Sequence, residues 1–535
     1  MQWPSQRIEY CDTGYFPKIM LDYIDQKESL MPLIQSFPSL ENIRESIVQR
    51  KQTKTNRKAL VSYLQDQYRN VPDSEKVSTA IQRLSEEKTY TITTAHQPNL
   101  LTGPLYFIYK IVHAISLADY CNQHIPDCHF VPVYYMGMED ADFSELNHFT
   151  VDGKKYQWAT DQSGAFGQMK VDKALTDIID QLEAQISPLP YADTLIRQIR
   201  VCYKEGKTIA QATFKWVHSL FSRYGLIVLL PDDKLIKAEF IFEMEDDLLN
   251  HSSFSILHSV QSSYPYPSDW QANPRAINLF YMKDDVRERI EKEGDRFKVV
   301  NTSLVFTKEE LLNELHSNPQ HFSPNVMLRP LLQEKILPNL VYIGGAGELS
   351  YWFQLKKTFE HYQISYPLLV LRNSFVLMSE KLNIQFQKAG FNTCDIFKTA
   401  DQLIASYVLQ HSGKDLSMDK EINQMELWFK EVELKASSTD ATLKAHVGSL
   451  QRALLKKMKA LEQKMLRAEK RRFQDMSRQI EKIRSAFFPS QQLQERQESM
   501  LGFYAKWGDI WIDQILQHSA ALDPKMTILN YPLSY

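Results

Sequence analysis

The sequence predicts a doubly wound α/β core followed by a long helical region. Two observations carry this. A short β-type run, Thr91–Thr94, is followed by short apolar runs up to residue 371: Phe130–Met136, Gly225–Leu230, Leu340–Ile343 and Tyr366–Leu371. Runs of this kind suit strands buried on both faces of a parallel sheet, and helical stretches separate them. After about residue 400 the composition changes. From Lys420 to Phe487 there is no proline, and the only glycine is Gly448.

Residues 1–90 read as mainly helical and polar, with a basic stretch from Arg50 to Lys58. The run Thr91–Thr94 leads into the polar turn His96-Gln97-Pro98-Asn99, then Thr102-Gly103-Pro104 and an apolar helical pattern. A helix is expected from Pro104 to about Asn122. Pro104 suits its first turn, and Thr102 or Gly103 is the expected cap. A strand, a polar turn and a helix start together make a phosphate-binding arrangement, because free N–H groups and the positive dipole end converge there. A histidine stands where a Walker loop has glycines, so the ordinary P-loop reading fails. An αβ unit with an ordinary turn is the alternative.

The run Phe130–Met136 ends at the acidic turn Glu139-Asp140-Ala141-Asp142, with Asn147-His148 close behind. Ligands of open α/β sheets collect at that edge. Carboxylates there are candidates for Mg2+, a ribose or a substrate amine, with an acidic helix cap as the alternative. Gly344-Gly345-Ala346-Gly347-Glu348 follows Leu340–Ile343 and runs into a helical pattern containing Trp352. Its glycines permit close approach of the backbone to a ligand, but the spacing is not that of a dinucleotide fingerprint. Arg329 is a candidate carboxylate or phosphate clamp, or one half of an ordinary ion pair. Arg372-Asn373-Ser374 follows the last run, again at a strand's C-terminal edge, and a plain polar turn also fits it. The segment Trp270–Phe280 carries Arg275 and reads as a binding loop only by its company.

The intervals 150–220 and 232–325 are too long for a minimal crossover and are expected to be insertions. Farther on, Leu454, Met458, Leu461, Met465 and Ala468 repeat at spacings of 4, 3, 4 and 3, and Phe473, Met476, Ile480 and Ile483 follow one residue out of register. That pattern fits a long antiparallel helical hairpin, or a coiled coil with a discontinuity. An exposed apolar seam there would make a homodimer.

The 535 residues are 43% hydrophobic and 24% charged, an ordinary globular balance long enough for about two to four domains. The net charge of −3 argues against bulk nucleic-acid binding. Cys11, Cys121, Cys128, Cys202 and Cys394 are odd in number and widely spaced, so a disulfide framework or structural zinc is not expected. The N-terminus lacks a signal-peptide pattern, and no apolar run reaches the roughly 18 residues of a membrane span. The expected compartment is the cytoplasm.

Three of these segments, in order, resemble one family. HQPNLLTGPLYFIYK resembles its TGQQxGLxTGPLYTxYK segment, MGMEDADFSELNHF its EDxDFxExNH segment, and RPLLQEKILPNLVYIGGAGELSYWFQLK its RPLxQ…IGGPGEIAYWxQL segment. The family is the cysteine-adding enzyme of bacillithiol synthesis, BshC, described as a cysteine ligase. The resemblance implies a Rossmann-type core similar to the HIGH-motif nucleotidyltransferases, with connecting-peptide insertions, and a C-terminal helical coiled coil used for dimerisation. The organisation expected is a core over 1–400, a coiled-coil dimerisation region over 401–500, and a segment over 501–535 packing back on the core. The reaction implied joins L-cysteine to the amine of glucosaminyl malate. Forming that amide in water calls for activation of the carboxylate, which points to ATP or ADP in the site, with Mg2+ as a further candidate.

In this sequence the HIGH-like position falls at His96–Asn99, where many members have GQQ, a small residue and glycine. Asn99 there would tolerate a left-handed backbone. The candidate catalytic residues are His96, Asp140 and Asp142. The candidate nucleotide-binding residues are His96, Asn99, Thr102, Gly103, Gly344, Gly345, Gly347, Arg372 and Ser374. The candidate substrate-binding residues are Asn147, His148, Arg275, Arg329, Glu348 and Trp352. A nucleotide-binding dimeric scaffold, or an aminoacyl or nucleotidyl transferase with another acceptor, remains open at this point.

Overall fold

The computed structural model describes residues 2–271, 273–413, 415 and 417–532. Contacts divide the chain into two compact units, residues 1–376 with 493–529, and residues 377–492 with 530–535. The helical unit thus begins ahead of residue 400, because the chain is already helical from Glu380.

The first unit is built on a five-stranded sheet of β1 (Thr89–His96), β2 (His129–Met136), β3 (Ile227–Leu229), β4 (Asn339–Gly344) and β5 (Leu368–Leu371). Its order is β5-β4-β1-β2-β3, and every pairing is parallel. The strands are buried almost throughout because helices cover both faces of the sheet. Helix α1 (Tyr106–His124) links β1 to β2, burying Ala114, Leu117, Ala118 and Cys121 against Tyr90, Ile92, Phe130 and Val341. From β1 the chain runs outward to β2 and β3, then returns to the other side of β1 with β4 and β5. The order reverses between β1 and β4, so the crevice for a ligand lies at their C-terminal ends.

The chain between β2 and β3 forms a hairpin, His148–Val151 with Lys154–Gln157, and three long helices, Lys173–Ile186, Ala192–Cys202 and Ile209–Phe221. The chain between β3 and β4 carries a second sheet of five short antiparallel strands from Leu279 to Pro324. The N-terminal residues, read as helical from the sequence, open with a strand. Ser5–Glu9 pairs antiparallel with the chain's last strand, Ser5 opposite Leu529 and Glu9 opposite Lys525.

The turn after β1 departs from expectation. Helix α1 starts at Tyr106, its cap position is Leu105, and no side chain caps it. Thr102 and Gly103 lie in a preceding tight turn in which Leu101, Thr102 and Gly103 all have positive φ. Asn99 is extended, at φ −51° and ψ 141°. The left-handed geometry therefore falls two to four residues later than the HIGH-like comparison suggests.

In the second unit, α4 (Asp419–Thr439) and α5 (Leu443–Lys470) form an antiparallel hairpin. Met425 and Phe429 pack with Val447, Leu455 and Met458, and the Met418 N–H donates to Glu462 at 3.1 Å. The expected register break coincides with the 3-10 turn Arg471–Phe473, which separates α5 from α6 (Gln474–Phe487). The hairpin uses Leu455 and Met458, so Leu450, Leu454 and Leu461 stay exposed on α5. Among the described residues, no helix is long and apolar enough to cross a membrane, and no disulfide is formed.

Candidate active site

β1 ends in His96 and β4 in Gly344, which places both at the crevice where the sheet order reverses. The His96 ring sits edge-on to Tyr106 and Phe107, at 5.2 and 5.5 Å between centroids. Its Nε2 is buried and has no hydrogen-bond partner among the described residues, and neither has Asn99 Oδ1. Burial pushes the imidazole down to about 3, with Lys110 pushing the same way and Glu348 opposing. His96 is thus a neutral ring at physiological pH, with one nitrogen free for a ligand.

Glu348 sits in the first turn of α3 (Ala346–Trp352), where its Oε2 accepts the Gly345 N–H at 2.8 Å. Tyr342 Oη donates to its Oε1 at 3.1 Å, and Lys110 Nζ lies 2.6 Å from its Oε2. Lys110 also donates to the Ala95 carbonyl. Burial acts to raise the Glu348 pKa, but Lys110, His96 and the Gly345 N–H outweigh it, and the carboxyl lies below its usual range. Burial lowers the Lys110 pKa against the pull of Glu348.

A Cβ on Gly344 would come within 2.8 Å of Leu349 Cδ2, so a larger residue there would have to push that side chain aside. A Cβ on Gly345 would meet Glu348 Oε2 at 3.5 Å and Arg372 Nε at 3.6 Å, which sets Arg372 beside this turn. Arg372 pairs with Glu495 at 2.7 Å, donates to Ser374 Oγ at 3.1 Å, and lies 5.3 Å over the Tyr106 ring. Across the crevice, Arg329 opens α2 (Arg329–Ile336) and lies 5.6 Å over the Tyr135 ring. It donates to Gln333 Oε1 at 3.0 Å and to Tyr351 Oη at 3.2 Å.

On the β2 side, Asp140 Oδ2 accepts from Gln97 Nε2 at 3.0 Å, which joins the two polar turns. Behind it, the fully buried Lys237 holds Glu139, and also Asp232 at 3.1 Å. This triad anchors the acidic turn.

The structure therefore gathers His96, Asp140, Gly344, Gly345, Glu348, Arg329 and Arg372 around one sheet edge. Others of the expected residues have different work. Asp142 is exposed and caps the helix Phe143–Leu146, accepting from Ser144 Oγ at 2.8 Å and the Glu145 N–H at 3.4 Å. Asn147 is buried and ties its turn to Trp158 O at 2.9 Å, while His148 begins the adjoining hairpin. Trp352 is a core residue, stacked on Tyr342 at 4.1 Å and packed on Phe359. Thr102 and Gly103 are buried, and the Leu105 N–H donates to Glu498 O at 2.8 Å, which closes off part of the α1 start. Ser374 is buried against Glu495. Arg275 is exposed, with its N–H on Asn278 Oδ1. Its loop approaches the crevice instead through Gln271, whose Oε1 lies 3.6 Å from where a Gly347 Cβ would stand.

Sequence reasoning missed Lys110, Gln97, Tyr342, Tyr351, Gln333, Lys237 and Glu495. Lys110 did leave a signal, a lysine flanked by Ile108, Tyr109, Ile111 and Val112, where a buried charge requires a partner. Among the described residues, no group of three or more His, Cys, Asp or Glu side chains is arranged to hold a metal ion.

The family models and the similar sequences agree with one another. Residues 4–373 match the family model described as the bacillithiol biosynthesis BshC N-terminal Rossmann-like domain, and residues 375–531 match the BshC C-terminal coiled-coil domain. A protein of Flavobacterium johnsoniae named "Putative cysteine ligase BshC" is 36% identical over 532 residues, covering 98% of this chain and 100% of that protein. Proteins of the same name from Christiangramia forsetii and Cytophaga hutchinsonii are 36% and 35% identical, covering 99% and 97% of this chain and the same shares of their own lengths. A solved structure titled as an arginyl-tRNA synthetase of Campylobacter jejuni covers 84% of this chain and 100% of that chain, at 9% identity and a TM-score of 0.22.

Proposed function

The chain belongs to the BshC family of bacillithiol biosynthesis, and from that premise we propose that it is a ligase joining L-cysteine to the amine of glucosaminyl malate. The observation that carries the reading is the cluster of neutral His96, ionised Glu348 and the cations Lys110, Arg329 and Arg372 at the β1/β4 crevice.

Amide formation from a carboxylate must expel an oxygen, and ATP supplies the leaving group. Attack of a cysteine carboxylate oxygen on the α-phosphorus would release pyrophosphate and leave an acyl adenylate. Attack on the γ-phosphorus would release ADP and leave an acyl phosphate. The acceptor amine then attacks the acyl carbon, and AMP or phosphate departs with one of the original carboxylate oxygens.

His96, with Nε2 unpartnered, donates a single hydrogen bond to charge developing on phosphate or acyl oxygen. The half-buried turn at Gly345 and Gly347 admits the nucleotide more readily than the buried Thr102–Gly103 turn does. Asp140, held by Gln97, suits an ammonium group or a nucleotide-bound Mg2+. The exposed Leu450, Leu454 and Leu461 of α5 suit a homodimer through the helical unit. Cysteines that form no disulfide among the described residues, and a thiol product, suit a reducing cytoplasm.

The test is a product assay with L-cysteine, glucosaminyl malate and Mg-ATP, run on wild type and His96→Ala. The reading expects bacillithiol from wild type and a loss of at least about tenfold in the variant, roughly 1.4 kcal/mol of transition-state stabilisation. A variant within about twofold of wild type would remove the role given to His96.

A further inference from the structure

Three cations stand at the crevice, and two already have carboxylate partners, Lys110 with Glu348 and Arg372 with Glu495. Arg329 differs. Its guanidinium is held by two neutral acceptors, Gln333 Oε1 and Tyr351 Oη, and by the Tyr135 ring face. Among the described residues it makes no ion pair. Neutral acceptors fix its direction without cancelling its charge. A half-buried cation without a countercharge gains from an incoming anion.

The orientation is locked from behind. The Arg329 guanidinium has only donors, so Gln333 must offer it the amide oxygen, which turns the amide Nε2 toward Glu334 Oε1 at 2.8 Å. Asn339 Nδ2 donates to the same carboxyl at 2.9 and 3.1 Å, and Asn339 Oδ1 accepts from Thr91 and Thr93 of β1 at 3.0 and 2.8 Å. Gln333 therefore has one allowed orientation, and an ionised Glu334 fixes Asn339 as well. Burial pushes Glu334 up to about 7, and in either protonation state its Oε1 remains an acceptor for Gln333. The network runs from β1 and β4 of the central sheet to the crevice.

We infer that Arg329 receives a carboxylate of the acceptor substrate's malyl group, and that Gln333 is the positioning residue that aims it while leaving its charge open. The identity of the acceptor rests on the proposed ligase reading. The unpaired cation and its amide support do not.

The experiment uses Gln333→Met, which keeps length and removes the acceptor, with separate KM values for glucosaminyl malate, L-cysteine and ATP. L-malate serves as an equilibrium probe by calorimetry, independent of turnover. The expected result is a rise of about tenfold in KM for glucosaminyl malate, with kcat and the other two KM values within about twofold, and a matching loss of L-malate affinity. Tyr351→Phe removes the other acceptor and should move the same constants in the same direction, which keeps the test open if Gln333→Met fails to fold.

A rise confined to KM for ATP would assign Arg329 to a phosphate and overturn the carboxylate assignment. Equal rises in all three constants, or L-malate affinity unchanged in both variants, would overturn the positioning role. Wild type that binds L-malate in a Gln333-dependent way yet makes no bacillithiol would sink the ligase reading and leave the anion subsite standing.

Discussion

Lys110 Nζ lies 2.6 Å from Glu348 Oε2, with the lysine side chain 2% exposed, and this pair ties the helix after β1 to the helix after β4. It closes the crevice floor where the sheet order reverses. Breaking a buried pair on one side leaves an uncompensated charge. Glu348→Gln should therefore destabilise the protein by about 3 kcal/mol in urea unfolding. Stability within about 0.5 kcal/mol of wild type would show that water already screens the pair.

The neutral state of His96 has a consequence for pH dependence. Its folded pKa of about 3 lies below the ordinary value of 6.5. As pH falls through 6.5 the unfolded chain takes up a proton that the folded ring refuses, so stability drops until the folded pKa is reached. The contribution is intact above 6.5 and is lost between 6.5 and about 3, on the order of 5 kcal/mol in full. His96→Gln should lose less stability than wild type between pH 7 and pH 4. Parallel stability curves for the two proteins would contradict the assignment.

Gly103 has φ +54° and ψ −134°, and a Cβ there would lie 2.8 Å from Asn99 Cβ. Only glycine tolerates both the backbone angles and the contact. Gly103→Ala should cost about 2 to 3 kcal/mol of stability, read from thermal or urea unfolding. It should also disturb the turn that carries Asn99. A variant as stable as wild type would mean that the turn adopts another conformation.

The exposed leucines of α5 make a separate prediction. If Leu450, Leu454 and Leu461 form an interface between copies, Leu450→Asp combined with Leu454→Asp should convert a dimer to a monomer in sedimentation, with the far-UV spectrum unchanged. The sequence pattern assigned Leu454 and Leu461 to the same stripe as Met458. The hairpin instead packs through Leu455 and Met458, one residue around the helix, which leaves the other two exposed.

The parallel sheet was legible because its strands are buried on both faces, so Phe130–Met136 and Tyr366–Leu371 stand out as unbroken apolar runs. The crevice residues His96, Asp140 and Glu348 were legible because each lies at or just past the end of a strand-like run, and strand ends converge in an open sheet. The partners were not. Glu495 reaches Arg372 from 123 residues away, and no local pattern marks that pairing. Asp142 and Trp352 carry structural work that their place in a motif did not show. An aspartate beside a short helix caps it, and an aromatic on an apolar helix face packs into the core. A site motif contains such structural residues alongside the reactive ones.

The central claim is that the cysteine carboxylate is activated with ATP before the amide forms. Wild-type protein given L-cysteine labelled with 18O in both carboxylate oxygens, glucosaminyl malate and Mg-ATP tests this by mass spectrometry. The account predicts bacillithiol retaining one labelled oxygen, with the other recovered in AMP or in phosphate, in amounts matching the product. Bacillithiol formed without label in any phosphorus-containing product, or folded, nucleotide-binding protein that forms no bacillithiol, would contradict it.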